Sequence, residues 1–135
     1  MRATCDVFHL AVPVHDLDEA QRFYVSMLGC KLARRYDDRI TLDFFGDQLV
    51  CHLSVADLPP EKPLSLYPRH FGVTFREAAD FEAVYHCALT RKMPFFQDVS
   101  TRFEGMTEAH RTFVLVDPSG NLIEFKHYRD PRMMY

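Results

Sequence analysis

Apolar residues in this chain alternate with polar ones in some stretches and recur every three to four positions in others. The two periods mark out strands and helices. Residues 7–14 (VFHLAVPV) alternate, with Phe8, Leu10 and Val12 on one face and His9, Ala11 and Pro13 on the other. Pro13 marks the end of that strand. The period then becomes helical. Leu17, Ala20, Phe23, Tyr24, Met27 and Leu28 form one stripe, Asp16 followed three residues later by Glu19 is an N-terminal capping signal, and Gly29 is a stop. Strands at 32–36, 40–45 and 48–55 follow, separated by turns at Asp37-Asp38 and Gly46-Asp47. In the last of them Leu49, Cys51 and Leu53 share one face; Gln48, Val50 and His52 share the other.

Residues 56–68 carry four of the eight prolines and predict an irregular crossing segment. The pattern then repeats. Residues 69–75 form a strand whose His70-Phe71-Gly72-Val73 lines up with His9-Leu10-Ala11-Val12. Residues 77–92 form a helix with Phe81, Val84, Tyr85, Ala88 and Leu89 on one face; at the same offset Tyr24 falls on Tyr85 and Leu28 on Leu89. Residues 95–103 and 109–116 read as a longer hairpin around Glu104-Gly105. Asp117-Pro118-Ser119-Gly120 is strong turn chemistry, because Pro presets φ, Gly accepts positive φ and Asp bonds back to the backbone. In the strand that follows, Ile123 and Phe125 alternate with Leu122, Glu124 and Lys126. The expected fold is α+β, a single domain over 1–135 built of two βαβββ repeats, about 7–55 and about 69–128. Each helix covers one face of a sheet, and the other faces curl together into a shared cup.

Composition narrows the function classes. A length of 135 residues suits one domain with a substantial core. The net charge of −3 and the lack of a basic run argue against a nucleic-acid partner. No stretch approaches membrane-spanning length, and the opening Met-Arg-Ala-Thr-Cys-Asp has no apolar signal core. Cys5, Cys30, Cys51 and Cys87 are scattered without a C-x-x-C pair, which fits reduced thiols in a cytoplasmic protein better than a structural zinc site.

The candidate chemistry lies on the cup side. The strand parities send His9, His52, His70 and Glu124 to the faces opposite the helices. A carboxylate in an apolar strand needs a partner; a metal ion, an arginine, or Lys126 on the same face would serve. Imidazole plus carboxylate is the donor set of a divalent first-row metal with open positions. The plainer alternative is that these polar residues are each satisfied by local hydrogen bonds. His110 shares a face with Thr112 and Val114, as an acid/base group or as a half-exposed strand residue. His127 has the opposite parity and is set aside, His86 falls off its helix stripe, and His15 belongs to the start of the first helix. Tyr24 and Tyr85 read as core. Lys126 either orients an anionic substrate or pairs with Glu124, and Arg102 either meets a substrate carboxylate or is surface charge.

The F-H-L-A-V-P-V opening, the histidine at the head of the second unit and the closing D-P-S-G-N-L-I-E-F together resemble the vicinal oxygen chelate superfamily. That group includes glyoxalase I, bleomycin-resistance proteins, fosfomycin-resistance transferases and extradiol dioxygenases. The resemblance spans about 7–128, and D-F-F-G and E-F-K look most like small bacterial predicted extradiol-type dioxygenases. It implies a metal held by His9, His70 and Glu124, with Fe(II) favoured and Mn, Zn or Ni open. It implies an oxidoreductase that cleaves a catecholic or related aromatic small molecule, with His110 or His52 moving protons, in a homodimer. Two departures stand beside it. The chain has one pair of units where many extradiol enzymes have two, and the position of glyoxalase I's fourth ligand is Val50, with His52 two residues further along the same face. A Lewis-acid isomerase, lyase or thiol transferase on the same metal is the alternative enzyme, and a non-catalytic drug-binding protein is the alternative from another class.

Overall fold

The computed structural model describes residues 3–54, 56–57 and 65–135. Most of the crossing segment expected at 56–68 therefore lies outside the described residues. The strands are β1 (His9–Val14), β2 (Lys31–Arg35), β3 (Arg39–Phe44), β4 (Asp47–Leu53), β5 (Phe71–Phe75), β6 (Phe95–Arg102), β7 (His110–Val116) and β8 (Leu122–Tyr128). They form two four-stranded mixed sheets, ordered β1-β4-β3-β2 and β5-β8-β7-β6. In each, the first strand of the unit pairs parallel with the last, and the others pair antiparallel. The two βαβββ units expected from the repeat are thus present, and the fold is α+β. The longer hairpin also falls where the repeat put it, since β6 and β7 are longer than β2 and β3.

The helices differ. Helix α1 (Leu17–Gln21) runs directly into a π-helical turn, Arg22–Met27, whereas α2 (Ala78–Thr90) is regular. Asp16 caps α1 by accepting the Asp18 and Glu19 N–H groups at 2.7 and 2.9 Å. Glu19 does not reach back to close the capping box; its carboxylate takes His15 Nε2 at 2.8 Å instead. Gly29 follows at φ 93°, the left-handed stop predicted for it.

Both helices and one face of each sheet share a single core, in which Val14, Tyr24, Ile40, Leu49, Phe81, Phe113, Ile123 and Phe125 are buried. Strand parity then fixes the rest. The faces opposite these residues carry His9, Gln48 and Val50 on the first sheet, and Gly72, Thr112, Glu124 and Lys126 on the second. Both of those faces turn away from the shared core.

The Asp117 turn ties the two units together. Asp117 is 3% exposed. Its Oδ1 accepts the Ser119 and Asn121 N–H groups, and its Oδ2 accepts the Tyr24 hydroxyl at 2.9 Å and the Asn121 amide at 2.8 Å. Asn121 also donates to the Pro13 carbonyl, and the Ser119 hydroxyl accepts the His15 N–H. Burial raises the Asp117 carboxyl above its ordinary range despite these donors, and it raises the Tyr24 phenol more strongly, with the Asp117 charge adding to the effect. Tyr24 is accordingly a core residue, as its helical spacing predicts.

Candidate metal centre

Glu124 lies in the middle of β8, opposite Gly72 on one side and Val114 on the other. It is 3% exposed. Its two oxygens are treated differently. Oε1 accepts the Thr112 hydroxyl at 2.8 Å. Oε2 is buried without a hydrogen-bond partner among the described residues. Two cationic or potentially cationic groups nonetheless stand close to it, Lys126 Nζ at 2.9 Å and His70 Nε2 at 3.2 Å, without hydrogen-bond angles. A buried carboxylate oxygen of this kind is costly unless a cation completes it.

The tautomer of His70 sharpens the point. Its Nδ1 lies 2.7 Å from the Leu66 carbonyl oxygen, which can only accept, so Nδ1 carries the proton. Neutral His70 then presents the lone pair of Nε2 to Glu124 Oε2, another acceptor. Two acceptors at this distance call for a cation between or beside them; the Lys126 ammonium stands beside Oε2, and a metal ion held by both Nε2 and Oε2 would be another. A carbonyl holding Nδ1–H and a hydroxyl holding the far carboxylate oxygen are also the supports that orient metal ligands. By its donor chemistry, the His70–Glu124 pair fits a divalent metal.

His9 has the same preparation on the other sheet. Its Nδ1 lies 2.6 Å from Gln48 Oε1, its cross-strand neighbour in the parallel β1–β4 pair. The amide oxygen accepts, so Nε2 is again left with its lone pair. His9 is exposed, however, and among the described residues no three His, Cys, Asp or Glu side chains converge. The structure brings His70 and Glu124 together and leaves His9 apart.

The other sequence candidates are dispersed. His110 is buried on the Glu124 face, with Nδ1 2.9 Å from the Glu108 carbonyl and its ring 4.5 Å from that of Tyr128. It pairs with Tyr128 across the sheet, four residues along β8 from Glu124, which is roughly 13 Å at strand rise. His52 is exposed at the far end of β4, opposite Pro13. Val50 pairs with Ala11 as Glu124 pairs with Gly72, so it holds the place in the first sheet that Glu124 holds in the second. His127 packs against Phe81 on the helix side, as its parity requires. Lys126, by contrast, belongs to the centre. Thr112 and Gln48 were legible only as neighbours of the right parity; their role as orienting groups depends on register. Strand parity puts Gly72 on the Glu124 face; that glycine is required there follows only from packing, since an added Cβ would meet the Glu124 carbonyl oxygen at 1.6 Å.

The model of the Glyoxalase/Bleomycin resistance protein/Dioxygenase superfamily matches residues 6–125. No match was found among curated protein sequences. Among solved structures, a glyoxalase/bleomycin resistance protein/dioxygenase from Alicyclobacillus acidocaldarius is 63% identical, with a TM-score of 0.94 and full coverage of both chains. The fold is also that of the fosfomycin resistance protein FosX from Listeria monocytogenes, at 11% identity, a TM-score of 0.70 and coverage of 99% of this chain and 100% of that one. Lactoylglutathione lyase from Agrobacterium tumefaciens shares it at 16% identity, with a TM-score of 0.66 and coverage of 90% and 92%.

Proposed function

Because the chain belongs to the Glyoxalase/Bleomycin resistance protein/Dioxygenase superfamily, we propose that it is a metal-dependent enzyme whose centre is completed between two copies of the chain. His70 and Glu124 of one copy and His9 of the other hold a divalent ion, Fe(II) by preference. The observation that carries this reading is the buried, unbonded Glu124 Oε2 facing the lone pair of His70. His9 supports it from the other sheet, with a tautomer set for ligation on an outward face where it is exposed among the described residues. Exposed apolar groups flank both half-sites: Val7 and Phe8 beside His9, and Tyr67 and Phe103 on the side of His70. A second copy would cover them.

Three protein ligands leave open positions, and a bound divalent metal supplies there a site that chelates and polarises the vicinal oxygens of a small-molecule substrate. The chain's own groups do the rest. Thr112 holds the carboxylate in one orientation, and Leu66 and Gln48 hold the two imidazoles with their lone pairs outward. Lys126 balances Glu124 and presents an ammonium to an anionic substrate oxygen. His110, buried with its ring tilted against that of Tyr128 and its Nδ1 held by the Glu108 carbonyl, is placed to take a proton at Nε2 from the outer part of a substrate; His52 has the same task from the opposite rim. We place the reaction with the extradiol-type dioxygenases acting on catecholic substrates. An isomerase or lyase using zinc, manganese or nickel is the second reading, supported by the same donors.

The test is metal content and its complementation. Anaerobically purified protein is expected to carry about one metal per chain, and His9→Ala, His70→Ala and Glu124→Ala are each expected to lose roughly 90% or more of it. Mixing unfolded-and-refolded His9→Ala with Glu124→Ala then separates the two geometries. Assembly between copies restores one of the two sites in each mixed dimer, whereas assembly within one chain restores none. Wild-type protein that binds no metal after reconstitution, while folded, would sink the enzyme reading in favour of a binding protein.

A further inference from the structure

We propose that Arg102 is the anchor for a carboxylate on the ligand, so that the site takes planar aromatic acids rather than neutral aromatics. The inference rests on the Glu124 face being the binding face and adds the substrate class.

Arg102 is the last residue of β6 and pairs with His110 across the sheet, on the same face as Glu124 and Lys126. Its guanidinium lies within cation–π distance of two rings, with Cζ 5.8 Å from the Tyr67 centroid and 5.5 Å from that of Phe103. Its Nη1 donates to the Tyr67 hydroxyl. Among the described residues no carboxylate pairs with it, and its remaining donors have no acceptor. An arginine already held by the Tyr67 hydroxyl beside two aromatic rings loses less further freedom when it forms a two-pronged bond than a free surface arginine does. A carboxylate is the matching acceptor.

The position of Tyr67 gives the ligand its shape. The same ring that flanks Arg102 meets His70 edge-on, with centroids 5.6 Å apart. One tyrosine therefore separates the carboxylate anchor from the His70–Glu124 pair. A flat ring lying along it, with adjacent oxygens at one end and a carboxylate at the other, spans the two. Phe103 and Tyr128 extend the aromatic lining around His110. A neutral ligand would leave the guanidinium's donors unpaired under that ring, and this is the physical basis of the discrimination.

The experiment is calorimetric titration of the intact protein with catechol, benzoate and 3,4-dihydroxybenzoate, first loaded with Zn2+ and then after EDTA treatment. In wild-type protein 3,4-dihydroxybenzoate should bind roughly tenfold or more tightly than catechol. In Arg102→Gln that ratio should fall to about one, and Arg102→Lys, which keeps the charge but not the fork, should recover only part of it. Metal stoichiometry and the melting transition measured alongside show that each variant is folded. Benzoate that binds the EDTA-treated wild type and not Arg102→Gln supports the anchor even if the metal reading fails. Equal affinities for the acid and the neutral catechol in the wild type, or a preference that survives Arg102→Gln, overturns it.

Discussion

Glu124 and Gly72 show how much one position can depend on its neighbour. The carboxylate sits where the β5 backbone comes so close that a methyl group would overlap the Glu124 carbonyl. Gly72→Ala is therefore expected to push β5 from β8, to cost about 2–3 kcal/mol in denaturant unfolding and, on the proposed centre, to weaken metal retention. A stable Gly72→Ala protein with full metal content would contradict the close approach. The cysteines make a second case. Burial pushes the Cys30 thiol up to about 12 and raises Cys51 further still, with the charge of Asp43 adding at Cys30 and that of Asp117 at Cys51. At pH 8 iodoacetamide should label exposed Cys5 in the folded protein, whereas Cys30 and Cys51 should label only after denaturation, as peptide mass mapping would report. The spacing of the cysteines showed that they lack a zinc pattern; their inertness follows from packing, which spacing does not contain.

Between residue and whole molecule, the elements divide into those set by local chemistry and those set by contact. The cap of α1 is local. Backbone hydrogen bonds, chiefly from Glu19, hold the Asp16 carboxyl below its ordinary value. A carboxyl whose folded pKa is depressed adds stability above its unfolded pKa, near 3.8, and that contribution is lost as pH falls through the folded value. Asp16→Ala should therefore melt a few degrees lower than wild type at neutral pH, and the two melting curves should draw together as the buffer is taken below 3.8. The turn at Asp117 was also legible, because Asp-Pro-Ser-Gly specifies its own backbone. Its wider task was not. The same carboxylate takes the Tyr24 hydroxyl from the other unit, and Asp117→Ala would leave that buried hydroxyl and the Asn121 amide short of an acceptor. A loss of roughly 3 kcal/mol or more is expected from thermal or urea unfolding, with both units melting together. The π-helical turn after α1 escaped the sequence reading because the apolar stripe of Phe23, Tyr24 and Leu28 is compatible with either winding over so short a span.

For the molecule as a whole, the decisive feature is which faces the two sheets turn toward each other. The helices and the apolar faces meet in one core, so the two polar faces look outward and His9 does not join His70 and Glu124 among the described residues. If a second copy supplies the missing ligand, sedimentation should show a dimer whose dissociation is promoted by chelator, since metal bound across an interface stabilises it by mass action. A monomer with full metal content at all concentrations would rule that arrangement out. The sequence by itself determined the repeat, the order of strands and helices, the turn chemistry, and the face of each strand on which His9, His70 and Glu124 lie. These are matters of period and local stereochemistry, written in residues a few positions apart. Only the tertiary structure decided that one Glu124 oxygen takes the Thr112 hydroxyl while the other lies beside Lys126 and His70 without a hydrogen bond, that Leu66 and Gln48 set the histidine tautomers, and that Arg102 is held beside the same tyrosine that touches His70. Each of these depends on register and on the packing of residues distant in the chain, and a periodic pattern fixes the face a side chain points to without fixing what stands opposite it.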